Sequence, residues 1–111
     1  LISILIHGMN QKSPFFDKPE AYLHPRLQAE IADYFIQLHN DGKQVTVETY
    51  SELLILRLLR RVREKTLKPD HLAIVNVVRD CGPFHMVVND DGEFTSPWVG
   101  GFFQERAEEL F

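Results

Sequence analysis

Three stretches of the chain carry apolar residues in a period that dictates an element. Between Pro25 and His39, Leu27, Ile31, Tyr34, Phe35 and Leu38 recur in steps of three and four, the spacing of one helix face. Pro25 suits the first helical position, where a missing N–H costs nothing, and Asn40-Asp41-Gly42 supplies a stop. Gln44 to Thr49 then alternates polar with β-branched residues and predicts a strand. Leu53, Leu54, Leu56, Leu58, Leu59 and Val62 spread apolar residues over a wide arc of a second helix, which ends at Lys68-Pro69-Asp70. Thr49 and Glu52 have the T-x-x-E spacing of a capping box at its start.

Leu72 to Val78 is nearly all apolar, the mark of a strand covered on both faces. Asp80-Cys81-Gly82-Pro83 is a turn, Phe84 to Val88 returns as a strand, and Asp90-Asp91-Gly92 turns again. Glu105 to Phe111 is a short terminal helix at most. The opening run, Leu1 to Ile6, fits either a buried strand or a helix end closed near Gly8. Asn10 to Pro14 is a polar turn, and Phe15-Phe16-Asp17 is an apolar stub ending in an acid. A helix that joins two strands implies a parallel crossover, so the fold class is α/β. The expected architecture is a sheet of parallel strands with helices on its faces, ending in a hairpin at one edge.

Bulk properties narrow the functions. At 111 residues there is room for one domain, and a net charge of −4 excludes a surface built wholly for nucleic acid. Cys81 is the only cysteine, so no internal disulfide forms and a reducing, cytoplasmic setting is expected. Leu1 to Ile6 is far shorter than the ~20 residues of a membrane span, and no basic stretch precedes it as in a signal peptide. A first residue other than Met suggests a fragment. The histidines His7, His24, His39, His71 and His85 lack metal-ligand spacing. Arg57, Arg60, Arg61, Arg63, Lys65 and Lys68 form one basic cluster, read first as the solvated face of a helix and second as contacts to DNA phosphates. Trp98, Phe102 and Phe103 read as core or edge cover, with a dimer surface as the alternative.

Ligands of open parallel sheets gather beyond the C-terminal strand ends. Two polar segments occupy such ends, Asp17 to Pro25 and Glu48 to Glu52, each passing from a strand through acids into a helix start. An acid that closes an apolar strand suits Mg²⁺, which takes one or two carboxylates together with phosphate oxygens; an acidic loop that only caps a helix is the plainer alternative.

Those segments carry a resemblance. Asp17 followed by Pro19-Glu20-Ala21-Tyr22-Leu23-His24-Pro25-Arg26-Leu27-Gln28-Ala29-Glu30 resembles the Walker B and D-loop region of AAA/ABC-type P-loop ATPases. Val47-Glu48-Thr49-Tyr50-Ser51-Glu52 resembles their switch loop, and Arg57-Leu58-Leu59-Arg60-Arg61 their following helix. Asp91 to Phe94, Pro97-Trp98 and Gly101 to Glu105 resemble a C-terminal domain of unknown function in the same family. The resemblance implies a partial P-loop NTPase-like sheet, with an ATPase lobe over residues 1–79 and a family-specific extension over 80–111. It also implies that Leu1 to Met9 is the end of a helix.

By the same resemblance, Asp17 is the Mg²⁺-associated acid, Glu20 an acid that assists the attacking water, and His24 a D-loop residue facing a second subunit. Tyr50 takes the place of the switch histidine, and Lys18 and Ser51 belong to the nucleotide-binding set. The implied cofactors are Mg²⁺ and ATP, the implied partners a homodimer mate or an N-terminal ATPase segment, with DNA or a nuclease beyond them and no membrane. Relatives in genome maintenance or phage defence would use Arg57, Arg60 and Arg61 on DNA.

Three departures weaken catalysis. Lys18 stands where the family has Gln or a catalytic Glu. Tyr50 replaces a histidine, and a phenol is a poor proton relay at neutral pH. No G-x-x-x-x-G-K-[ST] occurs, so nothing in the chain cradles the β- and γ-phosphates. The expected function is therefore one lobe of an ATPase site, incomplete alone, or a degenerate copy that serves as a protein or DNA interaction module.

Overall fold

A computed structural model of the chain describes residues 1–8, 14–78 and 82–95. Its elements are β1 (Ile2–Ile6), β2 (Phe15–Asp17), α1 (Pro25–Asn40), β3 (Val45–Thr49), α2 (Glu52–Arg63), a single 3₁₀ turn (Pro69–His71), β4 (Leu72–Val78) and β5 (Gly82–Met86). The expected terminal helix and the aromatic group at Trp98, Phe102 and Phe103 lie outside the described residues, as does Cys81.

The five strands form one mixed sheet in the order β2-β3-β1-β4-β5. β2 pairs with β3 in parallel, which is the expected crossover through α1. β1 pairs antiparallel with both β3 and β4, from Ile2 opposite Thr49 and Asn76 to Ile6 opposite Val45 and Leu72. β3 and β4 thus point the same way, as a crossover through α2 demands, but β1 lies between them. The sheet has one adjacent parallel pair rather than a parallel run.

β1 settles the opening segment as a strand, against the helix end that the resemblance implied. Its isoleucines favour extended backbone, and a central strand buries Ile2, Ile4 and Ile6 in one step of two. Gly8 ends it against the start of β3. A Cβ on Gly8 would lie 2.3 Å from the Lys43 carbonyl carbon, so only glycine allows this approach.

Both helices cover the same face of the sheet. Ile2, Ile4, Ile6, Val45, Val47, Leu72, Ile74 and Met86 from the strands meet Ala32, Phe35, Ile36, Leu54, Ile55, Leu58, Leu59 and Val62 from the helices in one core. The opposite face carries Ser3, Leu5, Thr46, Glu48 and Val75, partly exposed. β4 therefore alternates buried and half-buried positions, where its composition suggested cover on both sides. Met86 lies in this core and Phe94 packs against it, so residues beyond the expected boundary at 79/80 belong to the same sheet and core.

The hairpin after β5 closes through Asn89, whose side-chain oxygen accepts from the N–H groups of Asp91 and Glu93. Gly92 sits at φ +73°, and a Cβ there would lie 2.2 Å from the Leu59 carbonyl oxygen. Gly92→Ala is expected to destabilise the protein by about 1–3 kcal/mol, the usual cost of combined backbone strain and overpacking. Urea unfolding of the two proteins side by side checks this.

Candidate functional site

The two polar segments singled out in the sequence lie side by side because β2 and β3 are parallel neighbours. Each strand runs directly into a loop and then a helix N-terminus, so the starts of α1 and α2 and the ends of β2 and β3 share one edge of the molecule.

Glu20 joins the two loops. Its Oε1 accepts from the Thr49 hydroxyl at 2.5 Å and its Oε2 from the Tyr50 backbone N–H at 3.1 Å. The Thr49 hydroxyl oxygen in turn accepts from the Ser51 N–H at 2.9 Å. The Ser51 hydroxyl donates to Gln28 Oε1 on α1 at 2.9 Å and accepts from the Leu54 N–H at 3.2 Å. Ser51, not Thr49, is therefore the cap of α2, and the capping-box reading of Thr49 and Glu52 is replaced. Thr49 bonds across to Glu20 because both are drawn to the same loop crossing, which sequence spacing does not encode.

Asp17 ends β2 exposed, and among the described residues no hydrogen bond or ion pair holds its carboxylate. Lys18 follows at φ +47° and Tyr22 at φ +66°, both in the left-handed region that non-glycine residues rarely enter. Tight turns hold them there, with the Ala21 N–H donating to the Lys18 carbonyl and the Leu23 N–H to the Glu20 carbonyl. Lys18 Nζ stands 5.6 Å from the centre of the Tyr50 ring, a cation–π approach between the two loops. Tyr50 is 55% exposed.

His24 caps α1, its Nδ1 accepting from the Arg26 N–H at 3.2 Å. A neutral ring bound in this way carries its hydrogen on Nε2, which makes that atom a donor toward solvent. Asp17, Lys18, Glu20, Tyr50 and Ser51 are thus brought onto one pair of adjoining loops, with His24 at the helix start that follows. Of these, Glu20 and Ser51 use their side-chain oxygens to build the loops.

The basic cluster lies elsewhere. Arg57 Nη1 reaches Asp33 Oδ2 of α1 at 2.7 Å, and Arg61 Nε reaches Asp33 Oδ1 at 2.8 Å and, through Nη1, Glu64 at 2.6 Å. Arg60 pairs with Glu64 at 3.6 Å. The three arginines suggested for DNA thus each have an acidic partner, and two of them clasp α2 to α1.

One grouping escaped the sequence reading. His7, His39 and His71, far apart in sequence, line a cavity of about 300 Å³ with Gly8 and Gly42. The His39 and His71 rings are 5.1 Å apart and those of His7 and His71 6.2 Å. Only the pairing of β1 with β4 beside the end of α1 brings them together. Among the described residues no set of three His, Cys, Asp or Glu side chains is arranged to hold a metal ion. No described helix is long and apolar enough to cross a membrane.

No protein-family model, curated protein or solved structure matches the chain.

The clasp on Asp33 sets a pH dependence. Hydrogen bonds from Arg61, then Arg57, hold the Asp33 carboxyl below its usual value against the opposing effect of partial burial. A lowered carboxyl contributes stability that is full above the unfolded value near ~3.9 and is lost as pH falls through the folded value. Asp33→Asn is expected to lose stability at neutral pH and to flatten the acid limb of the melting temperature against pH below about pH 4. With Asp33 just over a third exposed and its two partners about a quarter, the neutral-pH loss should be about 1–2 kcal/mol.

Proposed function

We propose that this chain supplies one lobe of a Mg²⁺–nucleotide site, of the AAA/ABC ATPase kind that its sequence resembles. The observation that carries the reading is the fastening of the two adjoining loops by Glu20, at the C-terminal ends of a parallel strand pair. That edge suits phosphate, because ligands of α/β sheets gather beyond parallel strand ends and the positive ends of two helix dipoles lie there.

Within it, the side chains available to a ligand are Asp17, Lys18, His24 and the Tyr50 hydroxyl. Asp17 suits Mg²⁺ as a single carboxylate among phosphate oxygens and waters, which the ion accepts; among the described residues no set of three His, Cys, Asp or Glu side chains is arranged to hold it. When bound, the ion would neutralise charge on the β- and γ-phosphate oxygens. Lys18 would add a cation beside the phosphates, and His24 Nε2 a hydrogen-bond donor. Glu20 would order the Tyr50 loop rather than take a proton itself, since both its oxygens are engaged. A loop that cradles the phosphates has to come from another segment or subunit.

The alternative is an interaction module without turnover. Lys18 and Tyr50 at positions where a base and a histidine would act favour it for the chain by itself.

Titration with a fluorescent ATP analogue separates the two readings. Weak, saturable, Mg²⁺-dependent binding is expected, reduced at least about tenfold by Asp17→Ala, which corresponds to ~1.4 kcal/mol. Binding without Mg²⁺ dependence, or none at millimolar analogue, would reject the nucleotide lobe and leave the interaction module.

A further inference from the structure

Among the described residues, Lys18, Tyr22 and Lys65 are the non-glycine residues held at positive φ, a conformation that costs stability. Two of them return something to the fold. Lys65 Nζ donates to the Asp90 carbonyl at 2.7 Å, and Lys18 Nζ stands over the Tyr50 ring. Tyr22 returns nothing. Its side chain is fully exposed and meets no hydrogen-bond partner or ring among the described residues. The Leu23 N–H closes a turn on the Glu20 carbonyl, with Tyr22 third in that turn at φ +66°. A lone exposed tyrosine is ordinary on relaxed backbone, but this turn position is one that glycine or asparagine fills without strain.

The same loop carries the charged groups of the edge. An overlapping turn, closed by the Ala21 N–H on the Lys18 carbonyl, keeps the Cα atoms of those two residues within about 7 Å, and Tyr22 is the next residue. Glu20, between Lys18 and Tyr22, ties the loop to Thr49 and Tyr50. Burying Tyr22 under an apolar protein partner would also strip water from Asp17, Lys18, His24 and Arg26, all exposed in the same segment. A free π-face amid ionic groups suits instead a ligand that is flat at one end and anionic at the other. Gly8 packs against Lys43, and the Pro14 carbonyl accepts from the Thr46 N–H, both at the far end of β3 from this loop. Thr95 bonds to Val87, beyond β5 at the opposite edge of the sheet. Residues 9–13 and those after Thr95 thus set out from places remote from Tyr22.

We infer that Tyr22 is a stacking surface for a nucleobase, and that the ligand of this edge is a free nucleoside di- or triphosphate. The inference rests on the nucleotide reading above and adds to it the group that takes hold of the base. Every base offers a flat π-face, so a tyrosine ring binds the class without choosing a member, and ATP and GTP are expected to bind alike. The turns around Tyr22 set its backbone before a ligand arrives, and the uncovered ring has no contact in the free protein to give up. The phosphates then lie toward Lys18. An extended single strand of nucleic acid is the less favoured source of the same chemistry, because one free ring and a net charge of −4 do not make a row of rings along a basic groove.

The test compares a nucleotide with its phosphate chain alone, by NMR titration of the parent chain, Tyr22→Ala, Tyr22→Phe and Asp17→Ala. The probes are ATP, GTP and inorganic tripolyphosphate, each with Mg²⁺, and a short thymidine oligonucleotide. In the parent, ATP and GTP are expected to bind about tenfold more tightly than tripolyphosphate, the increment of one stacked base, and to shift the Tyr22 ring protons upfield. Tyr22→Ala should abolish that difference while leaving tripolyphosphate binding unchanged, and Tyr22→Phe should keep it. Because the Tyr22 side chain is fully exposed, both variants should melt within a few degrees of the parent. Asp17→Ala should weaken nucleotide and tripolyphosphate together. Equal binding of ATP and tripolyphosphate to the parent, or an advantage for ATP that survives Tyr22→Ala, would overturn this inference and leave a phosphate site standing. Failure of ATP, GTP and tripolyphosphate alike to bind would remove the nucleotide reading and this inference with it. Tighter binding of the oligonucleotide than of ATP would overturn the assignment to a free nucleotide.

Discussion

The pairing of β1 on both of its edges is the constraint from which the rest of the structure follows. Without Ile2 to Ile6 the chain is two pieces, a β2-α1-β3 unit and a β4-β5 hairpin, joined by α2 but sharing no hydrogen-bonded ladder. With it, Ile4 is paired to Val47 on one side and Ile74 on the other, and the three lie in one buried layer beneath the helices. The close approach of Gly8 to Lys43 fixes where this strand stops. Everything placed at the ends of β2 and β3, including the loops fastened by Glu20, depends on that layer staying intact.

The charged side chains divide into two groups by what surrounds them. On the helix flank, Asp33, Arg57, Arg61 and Glu64 are directed at each other and hold α1 to α2 in a half-exposed setting, where each bond contributes modestly. At the loop edge, Glu20 is engaged by neutral donors, Thr49 and a backbone N–H, while Asp17 and Lys18 stand exposed. The contrast is between charge balanced within the protein and charge left open to solvent. It is the basis for reading the edge, rather than the arginine helix, as the place where a ligand would act.

Most of the elements were legible in the sequence because local periodicity decides them. The three- and four-residue steps from Leu27 to Leu38 and the alternation from Val45 to Thr49 each produced the element they imply. The opening segment was not legible, since a run of six apolar residues fits strand or helix and only partners on both sides choose between them. The insertion of β1 between β3 and β4 is likewise a nonlocal fact that no spacing records. In the site, the nearness of Asp17, Lys18, Tyr50 and Ser51 followed from reading both segments as strand ends. The Glu20–Thr49 bond and the histidine cavity were hidden, because they join residues 29 or more positions apart.

The place of β1 also orders events in time. β1 is synthesised before the other strands of this sheet, yet the strand it pairs with on one side, β4, is made only after some seventy more residues have followed, as Ile2 opposite Asn76 requires. Contacts of such long sequence separation close slowly, because the intervening loop must be gathered before they form. Until then Ile2, Ile4 and Ile6 have only β3 beside them, and an apolar strand with one edge bare is the species most prone to pair with the wrong chain. The vulnerable interval during synthesis is therefore set by β1, and slowing translation after β3 would lengthen it.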